Sequence, residues 1–69
     1  MNKSHPSPTD MVRFLIDRRK LKQREIADYL GVSQPWVSNV YNRKRTQNAY
    51  QIIDKLAVLY REESRRSLY

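Results

Sequence analysis

Apolar positions recur along this chain at helical spacing, and no segment alternates as a half-buried strand would. Met11, Val12, Leu15 and Ile16 form the first i, i+4 stripe, with Phe14 on its flank. Ahead of that stripe Ser7 can cap a helix, Pro8 suits the first helical position, and Asp10 completes a capping-box pattern. A second helix is expected from about Gln23 to Leu30, with Ile26, Ala27 and Leu30 facing inward. Gly31, the only glycine, follows where a left-handed residue would end that helix. Val32 plugs the turn, Ser33 can cap a third helix opening at Gln34, and Pro35 is tolerated in its first turn. Asn48, with Gln51 three residues on, marks a fourth start, and Ile52, Ile53, Leu56, Ala57 and Tyr60 form its stripe.

The pattern therefore predicts an all-α fold: a compact domain of four helices over residues 7–60, five if the tail adds one. A polar, flexible arm (residues 1–6) precedes it. A charged tail (residues 61–69) either extends the last helix or frays.

Size and charge narrow the class. A chain of 69 residues makes one domain at most, and at this size folding buries only about 60% of the unfolded surface. Fourteen Lys and Arg against seven Asp and Glu leave a formal charge of +7, while 39% hydrophobic content suffices for a small core. The excess points to a polyanionic partner. Without cysteine there is no disulfide framework, thiolate metal site or thiol nucleophile. No apolar run approaches the roughly 20 residues that span a bilayer, so a soluble, cytoplasmic protein is expected.

Catalysis is not expected. The single His5 stands in the arm, the carboxylates Asp10, Asp17, Asp28 and Asp54 scatter beside basic residues, and one glycine builds no phosphate loop. No metal, cofactor or small-molecule ligand is expected either, and His5 reads as a free arm histidine.

The stretch from Gln23 to Asn42 meets the constraints of two short helices crossing over a tight turn. Ala27 is small where the backbones approach, Gly31 can take a positive φ, and Ile26, Leu30, Val32, Val37 and Val40 supply the apolar inward positions. From Ser7 to Tyr60 the chain resembles the helix-turn-helix DNA-binding domain of phage repressor and Cro-type regulators, the xenobiotic-response-element family. Gln23, Ser33-Gln34, Val37-Ser38 and Asn42 match that family beyond the generic motif. Three places depart from it. Arg43 stands where glycine often follows the third helix, and Lys22 where Ser or Thr often caps the second. Ile16 and Tyr41 stand where many members pair an Arg with a Glu, so an apolar Ile16–Tyr41 contact in the core is expected.

On the third helix, successive 100° steps put Val37, Val40 and Tyr41 on the inner side and Pro35, Asn39, Asn42 and Arg43 opposite, with Trp36 and Ser38 on the flanks. Gln34 opens the helix, where base edges are met. Gln and Asn can bond adenine bidentately, so Gln34 and Asn39 are the expected direct readers, with Ser38 and Pro35 as accessory base contacts. Gln23 and Asn42 would hold phosphates, as the resemblance implies. Lys22 and Arg24 at the second helix, and Arg43, Lys44 and Arg45 past the third, would join them. Arg18, Arg19 and Lys20 extend the first basic cluster. Trp36 packs on the second helix or stacks on a sugar, with packing preferred.

The function these residues imply is sequence-specific binding of double-stranded DNA. A repressor acting as a homodimer on a palindromic operator is the leading form, and the outer face of the last helix and the tail (Val58, Leu59, Leu68, Tyr69) are the candidate dimer surface. An architectural, recombination or replication accessory protein, or an antitoxin-type interaction module, are the alternatives. Membrane binding is not expected, because the charges gather at helix ends and loops rather than along one face.

Overall fold

A computed structural model describes residues 6–46 and 49–66. Four α-helices fold around a single core: α1 (Pro8–Arg13), α2 (Gln23–Leu30), α3 (Gln34–Tyr41) and α4 (Tyr50–Arg66), with no strand among the described residues. Directly after α1 the chain widens into a π-helical segment, Phe14–Arg18. Residues 1–5 of the arm, the loop residues 47 and 48 with the expected cap Asn48, and the tail residues 67–69 lie outside the described residues.

The local signals explain where the helices begin. Ser7 Oγ accepts from the Asp10 N–H at 3.1 Å, and Asp10 Oδ2 accepts from the Ser7 N–H at 3.4 Å, so the capping box closes in both directions. At α2 only half a box is possible, because a lysine ammonium has no acceptor. Glu25 Oε1 accepts from the Lys22 N–H at 2.8 Å, the half of the box that needs no Ser or Thr, while Lys22 offers the first-turn N–H groups no side-chain acceptor. At α3, Ser33 Oγ accepts from the Trp36 N–H at 3.3 Å, with Pro35 in the first turn.

The helix ends share one device. After the π-helical segment, Lys20 takes φ 63° and the Leu21 N–H reaches back to the Leu15 C=O at 2.9 Å. Gly31 takes φ 74° after α2, with the Val32 N–H on the Ala27 C=O at 3.0 Å. Arg43 takes φ 61° after α3, with the Lys44 N–H on the Asn39 C=O at 2.8 Å. All three are left-handed residues closing a helix by a back-reaching bond. Only one of them is glycine.

Every helix contributes to the core. Val12 of α1, Leu15 of the π-helical segment, Ile26 of α2, Val37 of α3 and Leu56 of α4 are wholly buried, and Met11, Ala27, Leu30 and Val40 complete the cluster. Phe14 closes one side by meeting Tyr60 edge-on, with centroids 5.1 Å apart. The expected α4 stripe is only partly interior: Leu56 is buried, whereas Ile52, Ile53, Ala57 and Tyr60 keep part of their surface exposed. α4 also runs on through Arg66, so its first six charged-tail residues belong to the helix.

Ile16 and Tyr41, expected to touch in the core, are both half-buried and packed against its edge rather than enclosed in it, and Tyr41 is held by polar groups as well. Its hydroxyl donates to Asp17 Oδ1 at 2.8 Å, its ring lies 5.2 Å from the Arg13 guanidinium, and its carbonyl accepts from Arg13 Nε at 2.9 Å. A phenol keeps a polar end that a hydrocarbon interior cannot satisfy, so Tyr41 turns its hydroxyl toward the carboxylate one residue past Ile16.

Candidate nucleic-acid interface

The site begins at the Gly31 turn. Its positive φ lets the chain reverse within three residues, and the Ala27 carbonyl accepts from both Gly31 (2.8 Å) and Val32 (3.0 Å). Val32 packs against the core and anchors the turn, and α3 then leaves with Val37 and Val40 pressed inward. What remains outward is the surface the sequence marked. Gln34 and Pro35 of the first turn are exposed, and Ser38 and Asn39 are half-buried one turn further on. Gln34 and Asn39 are five positions apart, about 7.5 Å along the axis, a span of roughly two base-pair steps.

Asn42 caps the far end of α3. Its backbone N–H and side-chain Nδ2 both donate to the Ser38 C=O, at 3.0 Å and 2.9 Å, so the amide is held in one orientation at an exposed position. Arg43, Lys44 and Arg45 follow, all exposed. At the start of α2 Lys22 and Arg24 are exposed and Gln23 is half-buried. Trp36 is half-buried and packs against the core cluster, in line with the packing assignment.

The basic residues divide into two groups. Arg19, grouped by sequence with the first cluster, is turned away from it: its Nε pairs with Glu63 Oε1 of α4 at 3.2 Å, and Glu63 also holds Arg66 at 3.3 Å. Arg13 is likewise engaged, with Tyr41. Arg18, Lys20, Lys22, Arg24, Arg43, Lys44 and Arg45 have no described side-chain partner and are exposed.

One neighbour of the site was not legible in the sequence. The start of α1 lies beside the basic loop after α3, and Ser7, Pro8, Thr9, Arg43, Lys44 and Arg45 line a shallow recess of about 280 Å³. Thr9 Oγ1 donates to the Val40 C=O at 2.7 Å and fixes that arrangement. The capping signal at Ser7 was readable, but its proximity to Arg43 is a product of packing.

Electrostatics at the inner end of α3 centre on Tyr41. The hydrogen bond to Asp17 raises the phenol pKa above its ordinary value of 10.0, and the carboxylate's charge adds to the effect while Arg13 opposes it.

Among the described residues, no helix is long and apolar enough to cross a membrane. The chain matches no protein family, no curated protein and no solved structure.

Proposed function

We propose that this protein is a sequence-specific, double-stranded DNA-binding regulator of the helix-turn-helix, repressor-like class, entering the major groove with α3. On this reading Gln34 and Asn39 read base edges, and Pro35 and Ser38 contact bases beside them. Gln23, Lys22, Arg24, Asn42, Arg43, Lys44 and Arg45 hold the backbone. It acts as a repressor, a homodimer on a palindromic site with half-sites about one helical turn apart.

One observation carries the reading. A short helix anchored from beneath by Val37 and Val40 keeps polar, hydrogen-bonding side chains outward, and unpaired cations stand at its C-terminal end and at the start of the preceding helix. Amide side chains at the centre can discriminate bases, while the flanking cations neutralise phosphates on either side. The net charge of +7 supports the same partner.

Selection of bound duplexes from a random pool tests it. A recovered consensus with two-fold symmetry is the expected result, together with affinity that falls steeply as salt rises. Recovery of no consensus, with binding equal on all duplexes, overturns the sequence-specific reading.

A further inference from the structure

The outer face of α4 is chemically its own complement. Tyr50, Asp54, Ala57, Arg61 and Ser64 recur at i, i+4, i+7, i+11 and i+14, so they line one side of the helix, and Val58 and Arg65 flank them. Tyr50 is 87% exposed and Val58 41% exposed, large apolar groups left without cover. Asp54, Arg61 and Arg65 are exposed and enter no ion pair or hydrogen bond with another described residue. Nearer the core side of α4, Glu63 instead pairs with Arg19 and Arg66, while Lys55 and Glu62 are exposed without a described partner.

The order of these residues carries the argument. Asp54 and Arg61 stand equally far on either side of the Ala57–Val58 peptide, about 10.5 Å apart along the axis. Tyr50 and Arg65 stand equally far outside them. An isologous two-fold contact matches residue i with residue j and j with i. If two α4 helices cross antiparallel at Ala57–Val58, Asp54 of each meets Arg61 of the other, and Tyr50 of each meets Arg65 of the other. Ala57, half-buried and small, allows close approach at the crossing. A parallel arrangement would instead set Arg61 on Arg61 and Asp54 on Asp54.

The surface beside this face fits the same occupant. Ile53, Ala57 and Tyr60 leave apolar edges in a groove of about 610 Å³, walled opposite by Pro6, Pro8 and Met11 and rimmed by Arg65. Tyr50 of the second copy, brought to Arg65, lies over that groove.

We infer that α4 forms an antiparallel homodimer interface, with reciprocal Asp54–Arg61 pairs, Tyr50 seated on Arg65 of the second copy, and Ala57–Val58 at the two-fold axis. The inference supplies the interface for the dimer invoked in the DNA-binding reading, and it rests on surface chemistry independent of α3. A single helix face falls short of the about 800 Å² per partner found in stable complexes. The dimer is therefore weak and concentration-dependent.

Sedimentation velocity on the free protein, from low micromolar to millimolar concentration, tests this without DNA. The expected result is a monomer–dimer equilibrium. Asp54→Arg and Arg61→Asp each turn two attractive contacts repulsive and weaken association about tenfold. The double variant Asp54→Arg/Arg61→Asp restores it toward the original value, and Tyr50→Ala weakens it in either background. Asp54, Arg61 and Tyr50 are all exposed, so circular dichroism should show unchanged folding. A protein that stays monomeric throughout overturns the inference, as does a dimer indifferent to the single variants. Failure of the double variant to recover overturns the antiparallel register. Binding of the same variants to random-pool duplexes reports the DNA reading separately, because α3 is untouched.

Discussion

Tyr41 donates its hydroxyl hydrogen to Asp17 across 2.8 Å, tying the last residue of α3 to the segment that follows α1. Arg13 secures the same residue from the other side, through the ring and the backbone carbonyl. The orientation of α3 is thus set at both ends: by the Gly31 turn at its start and by a polar clamp at its close.

The clamp has a pH signature. The phenol is held protonated above its ordinary value of 10.0, so its contribution to stability is fully present below pH 10 and is lost as pH rises through the raised value. Titration of tyrosinate absorbance should show a late step, a phenol ionising above the ordinary value of 10.0. Tyr41→Phe should remove that late step and lower the melting temperature at neutral pH. A late step that survives Tyr41→Phe would assign it to another tyrosine.

Helix termination makes a second test. Gly31 has φ 74°, and nothing lies within 4 Å of the place a Cβ would take. Gly31→Ala therefore meets no clash and costs only backbone strain, about 1 kcal/mol. Lys20 has φ 63° and carries that strain already, so Lys20→Gly should stabilise by about 0.5–1 kcal/mol. Urea denaturation of the two variants should move the midpoints in opposite directions.

Leu56 is the one wholly buried residue of α4 among those described. Leu56→Ala leaves a cavity where α4 seats on the other helices and costs about 2–5 kcal/mol. For a domain this small that is a large fraction of its total stability. Thermal unfolding followed by circular dichroism should show a markedly lower midpoint. A midpoint unchanged within a few degrees would mean that α4 contributes little to the core.

The division among basic residues predicts which of them touch DNA. Arg19→Ala breaks the partly buried pair with Glu63 and should lower stability by on the order of 1 kcal/mol while leaving DNA affinity nearly intact. Arg45→Ala should leave stability nearly intact, weaken binding to every duplex alike, and reduce the salt slope by about one. Equal losses of affinity from both would erase the distinction.

Base reading is tested by Gln34→Ala and Asn39→Ala. Each should relax preference at one position, by about 1–3 kcal/mol if the bond is bidentate. Competition between the selected duplex and its single-base variants measures this directly. A uniform loss across all duplexes would move both residues to the backbone-holding group.

Much of this fold was legible along the chain because local chemistry decides it. Ser7, Ser33 and Gly31 announce helix boundaries through capping bonds and a backbone angle, which involve only neighbours in sequence. The spacing of Val12, Leu15, Ile26, Leu30, Val37 and Val40 selects the buried faces, because a helix repeats every 3.6 residues wherever it sits. The outward positions of α3, from Gln34 to Asn42, follow from the same period. Packing alone decided the rest. Lys20 and Arg43 adopt left-handed conformations that their side chains disfavour, which implies that the helices they join are held from elsewhere. Arg19 belongs to a basic run in sequence yet spends its charge on Glu63, and Tyr41 finds Asp17, because partners so far apart along the chain become neighbours only once the core has assembled. Periodicity determines which side of each helix turns inward; only the assembled globule determines which side chains meet across it.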